Sequence, residues 1–297
     1  MKQKISIDWL FFFRFSTGLF ALLSLIAFWE DIPKILFEGA YIKPELLDAL
    51  TDNYSPTIYS IHARLDEYFP DLTFDSLARI FLYTYVIALL FLIAGLFTRT
   101  SAIIALLLQI IIYKSMHLYI YGADFFLTMV LFYCVIFPKS KLSLDYVFFK
   151  FNQNVSSVKW SLILLQAHVC IIYFFSGLDK ALGATWWNGE AIWKALNSHD
   201  YNGLISLSSL KLPDFVFIIG GIATVAIELL YPLFINIKAT QKIWLYLTIS
   251  MHLSIAIFMG LHFFAMIMIV LNLSAFYFPN VVDEDEFLES NPIPHHK

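Results

Sequence analysis

Charge is scarce in this chain. Only 14% of its 297 residues are Asp, Glu, Lys or Arg, where soluble domains carry roughly a quarter. Apolar runs extend from end to end and leave no segment of domain size between them, which excludes a soluble domain held by one anchor. The net charge of −4 is not concentrated in any basic block, so a nucleic-acid footprint and a polybasic lipid-binding segment are both missing. The only cysteines, Cys134 and Cys170, sit inside apolar runs and read as small packing residues rather than a disulfide, a metal pair or a nucleophile. Also missing are G-x-S-x-G, Walker A and G-x-G-x-x-G motifs and any H-x-x-H, H-x-x-x-H or E-x-x-H pair. Hydrolase, ATPase and dinucleotide chemistry lack local support, and no metal is expected.

What is present is apolar: 60% of the residues are hydrophobic. Runs near the ~20 residues that cross about 30 Å of hydrocarbon fall around 8–29, 77–97, 101–121, 158–178, 213–235 and 243–259, with shorter ones at 124–138 and 262–278. The predicted fold is an all-α integral membrane protein, a bundle of about eight transmembrane helices occupying 1–280. The N-terminal run is too long for a signal peptide and carries Arg14, so it reads as a retained first span.

An even number of spans puts both termini on one side. Lys2, Lys4, Arg99, Lys139, Lys141, Lys150, Lys159, Lys238 and Lys242 fall on that side, against Lys34, Lys43, Arg64, Lys180, Lys194 and Lys211 on the other, which predicts cytoplasmic termini. Two long loops, 30–76 and 179–212, then lie outside. The first is acidic, and reads either as a solvated cap or as a surface that receives a cationic peptide or gates access. Residues 281–297 read as a disordered acidic tail.

A charge within a span costs a few kcal/mol, so each such residue needs a partner or a purpose. Arg14 reads as half of an internal salt bridge, with Glu228 as candidate counterion, or as a helix-end snorkel. Lys114, His117, Tyr121 and Asp124 recur at helical spacing and would form one polar face, serving either packing or chemistry. His252 sits mid-span. In "YFFSGLDKALGATWWNGEAIW", residues 173–193, Lys180 stands at the seam between membrane and water beside Asp179 and ahead of Trp186 and Trp187. It reads as an interfacial anchor with an aromatic belt, or as a partly desolvated lysine available as a base.

That string resembles the Y-F-x-[AS]-G-x-x-K-L…W…G element of the vitamin K-dependent gamma-carboxylase family, whose membrane part recurs in bacterial proteins with the horizontally transferred transmembrane domain. "RFSTG" at Arg14–Gly18, "GLFTRTSAIIALLL" at 95–108, "MHLYIYGADFFL" at 116–127, "GGIATVAIELL" at 220–230 and "MHLSIAIFMGLHFFAMIMI" at 251–269 resemble that core in the same order. Together they cover most of residues 5 to 280. The resemblance implies that Lys180 is the base acting on a reduced quinone, with O2 and CO2 as co-reactants, and that His117 and His252 share the site. Arg14, Tyr121, Asp124, Asp179, Trp186, Trp187 and Glu228 would line it.

It also implies a bacterial inner membrane. Met116 stands where the family has asparagine, and Ala181 where leucine usually follows the lysine. The family's large extramembrane substrate domain has no counterpart here, which points from glutamate carboxylation toward a small exported peptide as substrate. Two other readings stand beside this one. One is a non-enzymatic factor for maturation of, or immunity to, a secreted peptide toxin, and the other is a quinone-binding electron-transfer subunit.

Overall fold

The computed structural model describes residues 8–51, 56–198, 203–205 and 212–279. The predicted acidic tail, Lys2, Lys4 and Lys211 lie outside them. Among the described residues all regular structure is helical. The chain forms two compact units, one of Leu10–Asn154 and one of the residues from Val155 on, to which Trp9 at the start of the first helix also belongs.

The N-terminal unit contains α1 (Trp9–Ala27), α2 (Ile32–Ile35), α3 (Pro44–Ala49), α4 (Ile58–Leu65), α5 (Phe74–Ala94), α6 (Thr98–Ser115), α7 (Gly122–Ile136) and α8 (Leu144–Phe149). The C-terminal unit contains α9 (Val155–Leu182), α10 (Ala184–Trp187), α11 (Glu190–Asn197), α12 (Asp214–Leu229), α13 (Tyr231–Phe234), α14 (Lys238–Met259) and α15 (His262–Asn272). α15 runs on into a π-helical turn, Leu273–Tyr277. Among the described residues four helices, α1, α5, α9 and α14, are long and apolar enough to cross a membrane. The 28 residues of α9 span about 42 Å at 1.5 Å per residue.

Three expectations are corrected. The described residues of 30–76 are not a plain loop: they include α2, α3 and α4, and Ile32, Leu36, Leu47 and Ile58 are each at most 3% exposed. Asp179 and Lys180 belong to α9 rather than to an external loop, because nothing in "FFSGLDKAL" interrupts helical hydrogen bonding before Gly183. The run at 213–235 breaks into α12 and α13 at Pro232, which has no amide hydrogen to continue the ladder.

In the N-terminal unit, a polar lock holds the α5–α6 turn. α5 starts at Thr73, whose hydroxyl accepts the Ser76 amide at 3.2 Å, and ends at Gly95, where φ of 70° suits a residue without Cβ. The buried Arg14 guanidinium fills the space beside Gly95, where an added Cβ would lie 2.8 Å from its Cζ. It donates to the carbonyls of Leu92, of Ile93 at 2.7 Å and of Leu142 at 3.0 Å. A cation thus caps the negative end of α5.

The opposite charge caps α6. Fully buried Asp145 accepts the Phe97 amide at 2.7 Å and the Thr98 amide at 3.0 Å, and it meets the Lys139 ammonium at 2.8 Å. Burial alone would push the Asp145 carboxyl up. The Lys139 ammonium and the Thr98 and Phe97 amides outweigh it, and the carboxyl sits below the usual carboxylate range.

In the C-terminal unit, Gly177 brings α9 against α12. An added Cβ there would lie 2.4 Å from the Leu229 amide nitrogen and 2.8 Å from its Cα, the close approach that small residues allow between apolar helices.

Two outcomes follow from these packings. Gly177→Ala should destabilise by about 1–3 kcal/mol through overpacking against backbone, read as a lowered unfolding temperature in detergent. Because the Asp145 carboxyl is depressed in the fold, the unfolded chain takes up its proton first on acidification, so the contribution present near neutral pH is lost as pH falls below about 4. Thermal unfolding measured from neutral to acid pH should show that loss, and Asp145→Asn should flatten it.

Candidate functional site

α9 presents Tyr173, Ser176, Gly177 and Lys180 at spacings of three, one and three, which is one helical face. Gly177 sets the distance to α12, and one turn further on Lys180 reaches Glu228. The Lys180 Nζ lies 2.6 Å from the Glu228 Oε2 and 2.5 Å from the Ser176 Oγ, and 5.3 Å from the Trp186 ring centroid. The two side chains are only 20% and 8% exposed. The ammonium therefore meets a carboxylate, a hydroxyl and an aromatic face, the partners that a cation sheltered from water requires.

The same face of α9 carries a hydrogen-bond chain at Tyr173. Tyr231, stacked on Tyr173 with centroids 4.2 Å apart, donates to the Asn272 Oδ1 at 2.6 Å. The Asn272 Nδ2 donates to the Met268 carbonyl at 2.8 Å and to the Tyr173 Oη at 2.7 Å. The carbonyl fixes the orientation of the amide, since a flipped Asn272 would set oxygen against oxygen. Tyr173, accepting from Asn272, has its own hydrogen left for the His252 Nε2 at 2.7 Å.

The network thereby assigns Nε2 as an acceptor and places the imidazole proton on Nδ1. His252 is 2% exposed, its ring is edged by Phe264 at 5.8 Å, and its Nδ1 meets no hydrogen-bond partner among the described residues. A buried N–H without an acceptor is rare enough to mark a place where an oxygen belongs.

The remaining expected site residues are distributed as follows. Asp179 is exposed, on a different side of α9 from Lys180. Trp187, 48% exposed, donates its indole N–H to the Ala181 carbonyl at 2.8 Å. Arg14, His117, Tyr121 and Asp124 belong to the N-terminal unit. Arg14 is used by carbonyls of its own unit and Glu228 by Lys180 of its own, so each of the two charges expected to pair has partners within its unit.

The expected continuous face of Lys114, His117, Tyr121 and Asp124 is also corrected. α6 ends at Ser115 and α7 starts at Gly122. Asp124 serves at that break, accepting the Tyr121 amide at 2.8 Å, and a carboxylate in the first turn favours a helix start.

Sequence reasoning passed over several polar residues that the structure buries. Besides Tyr173, Tyr231 and Asn272, these include Tyr85 of α5, which donates to the Gln109 Oε1 of α6; Ser176, also passed over, is half-buried. Gln109 and Tyr113, one turn apart, are 0% and 5% exposed, and the His117 Nδ1 lacks a hydrogen-bond partner among the described residues. Their spacing of four was available as a signal. Set against known proteins, the chain matches no family model, no curated protein and no solved structure.

The tautomer assignment can be checked directly. Nitrogen NMR of the protein labelled at histidine should show His252 with its hydrogen on Nδ1. Tyr173→Phe, which removes the only donor to Nε2, should shift the population toward the other tautomer; an unchanged spectrum would detach the histidine from the chain.

Proposed function

We propose that this chain is a multi-pass membrane enzyme of the gamma-carboxylase-like kind, in which Lys180 is the base. The carrying observation is the sheltered contact of the Lys180 Nζ with the Glu228 Oε2 at 2.6 Å. In this reading the Lys180 amine removes a proton from a substrate hydroxyl, and the Glu228 carboxylate and Ser176 hydroxyl hold the ammonium that forms. Ser176 orients the amine, and the His252 Nδ1 offers a donor to an oxygen that gains negative charge.

The proposed electron source is a reduced quinone, which would supply reducing power toward O2 when bound, with an exported peptide as the substrate and CO2 as the group it would receive. The unpaired Nδ1–H of His252 fits such a ligand, because an oxygen of the ring is an acceptor of the size of one hydrogen bond. Residues of the chain bind it and hold its proton. The reading includes eight membrane crossings, with α6, α7, α12 and α15 adding shorter spans to the four long ones, cytoplasmic termini and a bacterial inner membrane.

A second reading is favoured by the same contacts. Lys180 is held by three groups at once, Ser176, Glu228 and the Trp186 face, which suits an anchor that ties α9 to α12 and α10. The chain would then be a non-enzymatic factor in peptide maturation or immunity, with the acidic cap at 30–76 as its docking face.

The two readings separate in one assay. Purified protein given a reduced naphthoquinone and O2 is expected to form quinone epoxide, and Lys180→Ala is expected to abolish it, with Glu228→Gln reducing it by about 10²-fold, within the range of general acid–base contributions. No epoxide from the folded wild type with several quinones would favour the anchoring role.

A further inference from the structure

α5 carries one cation, Arg79, five residues beyond its first residue, Phe74, and so about 7–8 Å along a helix of membrane length. The acid one turn earlier, Asp75, is its natural partner. That partner is diverted: the Asp75 Oδ1 accepts the Glu38 amide at 3.0 Å. Arg79 instead lies over the Phe37 ring, 5.1 Å from the centroid, and among the described residues it forms no ion pair. Asp31 is likewise taken, by Lys34 at 2.7 Å.

Beside the guanidinium is a cavity of about 160 Å³ lined by Trp29, Pro33, Phe37, Arg79, Leu82 and Tyr83. Its walls are aromatic and apolar, and Arg79 is its one charged lining group. Trp29 and Tyr83 pack with centroids 6.2 Å apart, the pair of residue types that collects where a bilayer meets water.

The direction in which the cavity opens selects its occupant. Ile80, Tyr83, Ile87, Leu90 and Phe91 are 51%, 56%, 54%, 48% and 41% exposed, at spacings that draw one apolar stripe down α5. On a helix of this length such a stripe faces lipid. Tyr83 belongs to both the stripe and the cavity wall, so the cavity is continuous with the lipid-facing surface.

We propose that this cavity binds the anionic headgroup of a membrane phospholipid. The fork of Arg79 donates to the phosphate in a bidentate manner, Phe37 holds the guanidinium flat, and Trp29 and Tyr83 cover the glycerol end of the chains. This requires nothing of Lys180 and is independent of the proposed enzyme chemistry.

The test uses the full chain in detergent. Thermal unfolding is measured with added phosphatidylglycerol, phosphatidylcholine or inorganic phosphate, and bound lipid is counted by native mass spectrometry. Phosphatidylglycerol is expected to raise the unfolding temperature of the wild type above that with phosphatidylcholine, with inorganic phosphate giving no shift. Arg79→Gln should lose that difference while unfolding at an unchanged temperature in phosphatidylcholine, and Arg79→Lys should keep part of it.

If Arg79→Gln fails to fold, Phe37→Leu, which removes only the ring under the guanidinium, should still retain less phosphatidylglycerol than the wild type. A phosphatidylglycerol preference that survives in both variants, a wild type without any preference, or an equal shift from inorganic phosphate would overturn the proposal.

Discussion

An ammonium group among apolar helices must find a counter-charge within reach of its own side chain, and the C-terminal unit is arranged around meeting that need. Lys180 and Glu228 are 48 residues apart in sequence and 2.6 Å apart in space. The contact depends on Gly177, because any side chain there would push the α12 backbone away from α9. Removing either charge leaves the other sheltered and unpaired, which costs more than the pair contributes. The pair therefore specifies which faces of α9 and α12 meet, whether or not it also moves protons.

The N-terminal unit solves a related problem with backbone groups. Arg14 and Asp145 are both buried, and each is satisfied mainly by a helix end: carbonyls of α5 for the cation, amides of α6 for the anion. The turn between the two helices is thereby fixed at both of its ends by charges of the correct sign for the helix dipoles. Gly95 opens the space in which the guanidinium sits.

Much of the helical layout was legible from apolar run length, since a membrane-length run leaves few alternatives. The site was legible only in part. The face Tyr173, Ser176, Gly177 and Lys180 could be read from spacing alone within one string. Glu228 could be singled out as a charge in an apolar run, yet it was assigned to Arg14, because a sequence shows that a buried charge needs a partner without showing that carbonyls can provide one. Asn272 and Tyr231 carried no local signal. Their roles arise from α13, α15 and α9 meeting, and neither residue type is unusual where it stands. The polar spacing through 114–124 misled because helical periodicity was extended across a break that Asp124 itself helps to form.

The hydrogen-bond chain from Tyr231 through Asn272 and Tyr173 to His252 has a single sense, with every link donating in the same direction. Dipoles in such a row reinforce one another. An acceptor arriving at the open Nδ1 end would polarise the whole row back to Tyr231, the first residue of α13 and the neighbour of Pro232. The segment that carries Pro232 and the open face of His252 are thus the two ends of one row of aligned dipoles.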